Sequence, residues 1–159
     1  MYYTILDTMF CEMVLVGDEQ GLTNIYLNTE HINGKIEISD KWILNNDFFV
    51  DIINELNEYI SGERKVFSVK LNLEGTEFQK KVWNELIKIP YGKLYTYKQI
   101  ATLVGNENAS RAVGTANNKN PIPIIIPCHR VIGSNGKLVG YAGGLKLKEQ
   151  LINHECRYK

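Results

Sequence analysis

Several features are missing from this sequence of 159 residues. No apolar run approaches the length of about 20 residues that a membrane-spanning helix needs. No basic region followed by a long apolar core opens the chain, so neither a membrane protein nor a signal peptide is predicted. Three cysteines, Cys11, Cys128 and Cys156, cannot all pair and form no Cys-x-x-Cys, which favours a reducing, cytoplasmic setting. Zinc-finger spacing and glycine-rich phosphate loops are absent too, so neither a metal nor another cofactor is expected.

Net charge is also missing, but only as an average over the chain. Residues 1–74 contain 13 acidic residues against 5 lysines and arginines, a balance of −8. Residues 75–159 contain 5 acidic residues against 13 lysines and arginines, a balance of +8. Such asymmetry between halves indicates that the basic half contacts nucleic acid. On charge alone, surface lysines that happen to cluster remain an equal alternative.

Proline is scarce, with four in the chain, yet three of them lie within residues 121–127. Proline fixes φ and moves the preceding residue toward extended geometry, and the isoleucines between these prolines indicate burial. This stiff segment leads directly to Cys128, His129 and Arg130. A neighbouring base or positive charge lowers the pKa of a thiol from about 8.5, so Cys128 is a candidate nucleophile. Because adjacent extended residues point to opposite sides, a core cysteine that does not touch His129 remains the alternative.

The first 74 residues show the pattern of a small antiparallel sheet with one helix. Strands are predicted at residues 2–8, 11–18 and 22–27, and Asn33-Gly34 marks a turn. Apolar residues then recur with helical spacing from Asp47, the predicted cap, to Gly62, where the helix ends. Residues 67–73 alternate between apolar and polar, which predicts a half-buried strand. Nothing in this half is a candidate for catalysis.

The second half begins at Gly75, the predicted boundary between a domain of residues 1–74 and one of residues 75–159. Thr76 and Gln79 form a capping box that opens a helix. Further helices are predicted at 97–104, capped by Thr96, and at 109–117 around an exposed Arg111. This is the outline of a helix-turn-helix, although two packed helices with an incidental arginine would look the same.

The last 30 residues predict a wing and a final helix. The turn sequence Ser134-Asn135-Gly136 predicts a hairpin with arms at residues 131–132 and 138–139. A flexible loop with one aromatic residue follows at residues 140–144. A lysine-rich helix is predicted at residues 145–155, and it presents Lys148.

Three motifs together resemble a known family: Pro127-Cys-His-Arg-Val131, Gly140-Tyr-Ala-Gly-Gly144, and Glu155 downstream. The chain resembles the O6-alkylguanine-DNA alkyltransferases (methylated-DNA–protein-cysteine methyltransferases) almost without gaps over residues 76–159. The resemblance implies a mixed α+β or α/β fold, with a ribonuclease H-like N-terminal domain and a mostly helical winged helix-turn-helix domain. It implies a monomer that binds double-stranded DNA and flips an alkylated guanine out of the stack. It leaves open whether O4-alkylthymine is repaired as well.

The resemblance also implies roles for individual residues. Cys128 would accept the alkyl group in a single turnover, His129 would take the thiol proton through a water, and Glu155 would orient that imidazole. Tyr97 would donate toward N3 of the leaving guanine. Asn120 would brace the turn between the recognition helix and the reactive segment.

For DNA and the base pocket, the resemblance implies a further set of contacts. Arg111 would enter the base stack in place of the flipped nucleotide, and the helix pair would contact DNA through Thr96, Ser110, Ala112 and Thr115. Tyr141 would form the aromatic wall of the pocket and Lys148 part of its rim. The pocket is completed by Val131, whose carbonyl accepts from the guanine amine as that of Cys128 does, by Ala142 and by Gly143. Gly143 replaces a bulky residue of some relatives, which predicts a wider pocket, and Ala142 replaces a serine.

Three alternatives remain beside alkyl transfer. A non-catalytic module that binds alkylated bases would not need Cys128, since family members of that kind lack the cysteine. A Cys-His hydrolase would use Cys128, His129 and Glu155 but leaves Arg111 and the basic half unexplained. A metal site built from scattered cysteine and histidine would occupy Cys128 and has no supporting spacing.

Overall fold

The computed structural model describes residues 1–29 and 36–159, and the turn predicted at Asn33-Gly34 lies outside these ranges. The helices and strands, in chain order, are β1 (Tyr2–Asp7), β2 (Glu12–Asp18), β3 (Gly21–Asn28), β4 (Ile43–Leu44), α1 (Val50–Ile60), α2 (Glu77–Ile87), β5 (Tyr95–Thr96), α3 (Tyr97–Leu103), α4 (Ser110–Asn118), β6 (Val131–Ile132) and α5 (Leu145–Tyr158). Short 3₁₀ turns lie at Asp47–Phe49 and Cys128–Arg130. The mixed α+β class and the order of a small sheet followed by helices are confirmed.

The N-terminal sheet has the strand order β3-β2-β1-β4. The three predicted strands are confirmed, and they pair as antiparallel neighbours. The sheet is nevertheless mixed, because β4 was not predicted and pairs in parallel with β1. β2 is buried along Met13–Val16, so the sheet is covered on both of its faces at this strand.

Two details of the N-terminal half differ from the sequence prediction. Asp47 does not cap the helix, because the Phe48 N–H donates to the side chain of Asn45 at 3.1 Å and Asp47 is the first residue of the 3₁₀ turn. Residues 67–73 form no strand, and only Leu71 makes a bridge, a parallel one to Leu22. The alternation at 67–73 reflects side chains that pack against the core and not a full ladder of backbone hydrogen bonds.

Two helices of the C-terminal half, α2 and α3, begin where local capping signals predicted. The capping box of Thr76 and Gln79 starts α2, and a second box of Thr96 and Gln99 starts α3. α2 packs against α4, and Trp83 donates its indole N–H to the carbonyl of Ala116 at 2.9 Å. These three helices form the outline predicted for a helix-turn-helix.

The predicted wing is only half correct. The turn exists, since the Gly133 N–H donates to the carbonyl of Lys137 at 2.9 Å and Gly136 has a φ of +79°. The arm at residues 138–139 is not a strand, and β6 pairs in parallel with β5 instead. The segment that begins with Val131 is therefore anchored to the start of α3 and not to its own hairpin.

One apolar core joins the two halves. Leu22 and Leu56 from the N-terminal half belong to the same buried cluster as Trp83, Ile126 and Leu151. α5 extends three residues beyond its predicted end, to Tyr158, and so reaches the N-terminal half. Within residues 1–29 and 36–159, no helix is long and apolar enough to cross a membrane.

Candidate active site

The segment before Cys128 is buried and internally braced. Residues 122–130 are all buried. The side chain of Asn120 donates to the carbonyl of Ile126 at 2.8 Å and accepts the Ile122 N–H at 2.9 Å, so one amide closes the turn from both ends. Ile124 has a φ of +75°, which is strained for a β-branched residue. The surrounding contacts therefore hold a conformation that the segment would not adopt alone.

Cys128 begins a 3₁₀ turn, and its backbone N–H donates to the carbonyl of Ile126 at 2.7 Å. The residue is 3% exposed. Burial raises the pKa of the thiol to about 11, although Asn120, Lys148 and Tyr141 lower it in part. The thiol is therefore protonated near neutral pH, so it can act as a nucleophile only if a base takes its proton as it reacts.

His129 supplies a base with the required protonation. Its Nε2 lies 2.5 Å from Oε2 of Glu155, and Nδ1 is buried without a hydrogen-bond partner in the described ranges. Because the carboxylate accepts, Nε2 carries the hydrogen and Nδ1 keeps a free lone pair. Burial lowers the pKa of the imidazole, against the opposing effect of Glu155, which keeps it neutral at physiological pH.

Glu155 is the most heavily hydrogen-bonded side chain of the site and is 2% exposed. Its Oε1 accepts from the Gly92 N–H at 3.2 Å and from Arg130 Nε at 2.7 Å. Its Oε2 accepts from the Tyr59 hydroxyl at 2.6 Å, His129 Nε2 at 2.5 Å and Arg130 Nη2 at 3.0 Å. Burial alone would raise the pKa of this carboxyl, but His129 and Arg130 outweigh it and hold the pKa well below its ordinary value. Glu155 is thus an ion fixed in one orientation.

Tyr97 and Lys148 meet at the carbonyl that precedes the 140–144 loop. The Tyr97 hydroxyl donates to the carbonyl of Val139 at 2.7 Å. Lys148 Nζ donates to the same carbonyl at 3.0 Å and to that of Gly140 at 3.2 Å. Lys148 is fully buried, which corrects the expectation of a lysine presented at a pocket rim. Burial lowers its pKa to about 8 despite the opposing effect of Cys128.

The structure adds residues that the sequence did not indicate. Asn117, on α4, donates to the carbonyl of Cys128 at 3.4 Å, and its own Oδ1 is buried without a partner in the described part of the chain. Arg130 was expected only to lower a thiol pKa, yet it binds Glu155 and the carbonyl of Ile89. Tyr59 comes from the half in which no functional residue was expected. No sequence signal singles out Asn117, because asparagine also stands at residues 118 and 120.

The 140–144 loop contains three of the predicted pocket residues, Tyr141, Ala142 and Gly143. Tyr141 is buried, and its hydroxyl has no partner within residues 1–29 and 36–159. A side chain at Gly143 would lie 2.9 Å from Leu147 and 3.0 Å from Leu27. Such a side chain would also lie 3.1 Å from the ring of Tyr141, so Gly143 is a point of close approach to both the core and the pocket wall, and the wider pocket stays a prediction. Ala142 is exposed, and Val131 is buried in β6.

The predicted DNA-contact residues separate into two groups. Arg111, Ala112 and Thr115 are exposed on α4, opposite its buried face of Val113, Ala116 and Asn117. Ser110 and Thr96 are half-buried, and the Thr96 hydroxyl is already used in capping α3. α4 thus connects an exposed face around Arg111 to the amide that touches Cys128. Among the described residues, no three His, Cys, Asp or Glu side chains are placed to hold a metal ion.

Comparisons with known proteins agree over the whole chain. Residues 77–157 match the family model of the 6-O-methylguanine DNA methyltransferase DNA-binding domain, and residues 1–73 match that of its ribonuclease-like domain. The chain is 54% identical over 155 residues to a methylated-DNA–protein-cysteine methyltransferase of Methanosarcina acetivorans, covering 98% of both chains. It is 41% identical to the constitutive one of Bacillus subtilis, covering 97% of this chain and 94% of the relative. A crystal structure of Mycobacterium tuberculosis OGT in complex with DNA superposes with a TM-score of 0.91 at 39% identity, covering 99% of this chain and 94% of that one.

Proposed function

Because the chain belongs to the 6-O-methylguanine DNA methyltransferase family, we propose that it repairs DNA by moving an alkyl group from O6-alkylguanine to Cys128. In this role it is a methylated-DNA–protein-cysteine methyltransferase that is spent after one transfer. The observation that carries the assignment to Cys128 is the buried pair beside it. His129 holds its hydrogen on Nε2 against Glu155, and Nδ1 is left without a partner in the described ranges.

The proton moves first along this pair. His129 Nδ1 accepts the thiol proton of Cys128 through a bridging water, and Glu155 stabilises the imidazolium that forms. Glu155 remains an ion during the transfer, because five hydrogen bonds occupy its two oxygens. A thiol whose pKa is about 11 thereby becomes a nucleophile near neutral pH only when the substrate is in place. This arrangement protects the buried sulfur from unproductive reactions.

The alkyl transfer is a single displacement. The sulfur of Cys128 forms a bond to the alkyl carbon while the bond from that carbon to guanine O6 breaks, and the electron pair leaves with the guanine. Tyr97 donates to N3 of the leaving base, for which its hydroxyl must turn away from the carbonyl of Val139. The product is a thioether, which offers water no electrophilic carbonyl. The protein therefore has no route back to the free thiol.

DNA binding is assigned to the basic half. Arg111 replaces the flipped nucleotide in the stack, and α4 carries Ala112, Ser110 and Thr115 along the groove. α4 also reaches the site from behind, because Asn117 donates to the carbonyl of Cys128. We assign residues 1–74 and 75–159 to two domains, although they share one core. A monomer in the cytoplasm completes the proposal, since it acts on DNA and its single site needs no second copy.

Intact-mass spectrometry tests the proposal directly. After incubation with a duplex containing O6-methylguanine, the protein should gain one methyl group, located on the peptide with Cys128. Excess substrate should not raise the yield above one repaired base per molecule. Hydrolysis of a peptide or amide substrate without methyl transfer from DNA would instead indicate a Cys-His hydrolase, and tight binding without any mass change would indicate a non-catalytic module. A duplex containing O4-methylthymine, tested in parallel, decides whether that base is also a substrate.

A further inference from the structure

Tyr59 connects the N-terminal half to the proposed proton relay. It lies in α1, is fully buried, and donates its hydroxyl to Glu155 Oε2 at 2.6 Å across 96 positions of the chain. His129 Nε2 donates to the same oxygen at 2.5 Å. A residue of the acidic half therefore shares an acceptor atom with the proposed general base.

The contact is held from several directions. The Tyr59 ring packs edge-on against Tyr91 and lies 5.6 Å from the ring of Phe67. His154, the residue before Glu155, lies 5.5 Å from the same ring, and its Nε2 is 2.9 Å from the Tyr59 carbonyl. α1 and α5 thus meet through both the backbone and the side chain of one residue. The hydroxyl has little freedom to leave Glu155.

We propose that Tyr59 is a positioning residue for alkyl transfer, which fixes Glu155 Oε2 toward His129 and limits the negative charge on that oxygen. The inference rests on the proposed function of Cys128 and His129. A carboxylate oxygen that accepts three hydrogen bonds has no lone pair free in another direction, so His129 Nε2–H has one defined acceptor. The titratable and charged groups that face this pair are Arg130, Lys148, Tyr59 and Tyr91.

The test is Tyr59→Phe, which removes the hydroxyl and keeps the ring. Alkyl transfer should slow about tenfold, as expected when a general base keeps its chemistry but loses part of its orientation. DNA affinity should not change. The acidic limb of the rate profile should move to higher pH, because Oε2 with one donor fewer carries more negative charge toward His129 and raises its pKa. His129 then protonates, and stops acting as a base, at a higher pH than in the wild type.

Tyr91→Phe is the matched control. The Tyr91 hydroxyl lies in the same ring cluster and is buried without a hydrogen-bond partner in the described ranges, so its removal breaks no contact to Glu155. This variant should keep the wild-type rate and pH profile. If Tyr59→Phe stays within twofold of the wild type, or slows with an unmoved acidic limb, Tyr59 has only a structural role. A wild-type protein that transfers no methyl would refute the proposed function itself, whereas an unaffected Tyr59→Phe beside an active wild type would refute this inference alone.

A double-mutant cycle separates an effect through Glu155 from a general one. In a Glu155→Gln background, removal of the Tyr59 hydroxyl should slow transfer by less than twofold, because the oriented carboxylate is already gone. A further tenfold loss would show that Tyr59 acts independently of Glu155 and would overturn the proposal. Melting temperatures of all four proteins identify any variant that fails to fold.

Discussion

Residues 1–74 and residues 75–159 differ in charge, in secondary structure and in chemistry. The first part has a balance of −8 and is built on the sheet, and the second has a balance of +8 and holds Cys128. They do not differ in core, because one buried cluster runs through both. In the acidic half, Tyr59 donates a hydrogen bond to Glu155 and Thr29 donates one to the 140–144 loop. The boundary between acidic and basic residues is therefore not a boundary between two separate cores.

The charge difference also orients the molecule on its proposed substrate. A polyanion such as duplex DNA attracts the basic half and repels the acidic one, so the face around Arg111 approaches first. We therefore expect the N-terminal half to lie on the side of the site away from the DNA. Four predictions test this comparison, in order of decreasing effect.

The largest effect should separate the cysteines of the two halves. Cys128→Ser should abolish alkyl transfer, because a hydroxyl is far less acidic than a thiol and His129 cannot deprotonate it. Cys11→Ser, in the acidic half, should leave the yield unchanged, since burial raises the pKa of that thiol to about 11 and its charged neighbours Asp7 and Glu12 raise it further. The measurement is the mass gain per molecule after incubation with methylated duplex. A methyl group on Cys11, or transfer by Cys128→Ser, would show that alkyl transfer does not depend on the cysteine of the basic half alone.

The second effect compares two buried glutamates. Glu155→Gln should slow transfer about 100-fold, the lower range for loss of general-base function. It should also cost about 3 kcal/mol of stability, because Arg130 stays buried without a charged partner. Rates are measured by single-turnover quenching and stability by urea unfolding.

Glu55→Gln is the control for this prediction. Glu55 is 7% exposed and accepts from the Ser68 N–H at 2.7 Å and from its hydroxyl at 2.9 Å, so its replacement should also destabilise the protein. Folded Glu55→Gln should nevertheless transfer at the wild-type rate. Equal slowing by both variants would mean that stability, and not the relay, sets the rate.

Replacement of Glu155 should also change how the free energy of unfolding depends on pH in acid. Because the pKa of Glu155 is lowered in the folded state, its contribution to stability is complete above the ordinary glutamate pKa of about 4.3. That contribution is lost as the pH falls further toward the folded pKa. Glu155→Gln should therefore show a weaker loss of unfolding free energy in acid than the wild type. Identical slopes of stability against pH would contradict the lowered pKa.

Local signals made much of the fold predictable from the sequence. Capping boxes act over three residues, so Thr76 with Gln79 and Thr96 as a cap could be read directly. Three strands were also found, among them β2, which is a continuous apolar run and does not alternate. The 67–73 segment was misread because alternation reports which side chains are buried, whereas a strand needs partners for its backbone. Leu71 alone finds one, at Leu22.

The site was predictable as far as its motifs are contiguous. Cys128 and His129 are adjacent, and the resemblance pointed to Glu155, but the hydrogen bond between His129 and Glu155 needed the structure. Lys148 was expected to be exposed because charged residues on a lysine-rich helix usually are. Its burial depends on the carbonyls of Val139 and Gly140, which the chain brings back in a turn without a strand. Tyr59 could not be found at all, because its hydrogen bond spans 96 positions and no local pattern marks it.

The third effect concerns DNA and sharpens the electrostatic side of the comparison. Arg111→Ala should slow repair of duplex DNA about tenfold more than transfer from a free O6-alkylguanine base, which has no stack to fill. Loss of this positive charge should also weaken the dependence of duplex binding on salt concentration. Lys70→Ala, an exposed lysine of the acidic half, should change neither quantity. Equal losses of rate on duplex DNA and on the free base would show that Arg111 does not act by filling the base stack.

The smallest effect should come from Thr29, which joins the halves at the 140–144 loop. Its hydroxyl donates to the carbonyl of Gly143 at 2.8 Å, and Thr29→Val removes this bond without changing the shape of the side chain. The loss of one such bond is worth about 1 kcal/mol, so hydrogen exchange at the Gly144 N–H, which donates to the carbonyl of Tyr141, should accelerate about fivefold. Thr102→Val is the control, because that exposed hydroxyl donates within α3 and should leave the loop unchanged. If only the loop loosens while transfer keeps its rate, the acidic half holds the pocket through several contacts. If transfer slows by the same factor, the hydrogen bond from Thr29 to the Gly143 carbonyl is the main contact through which the acidic half supports the pocket. The two halves then depend on each other at this loop as they do at Glu155.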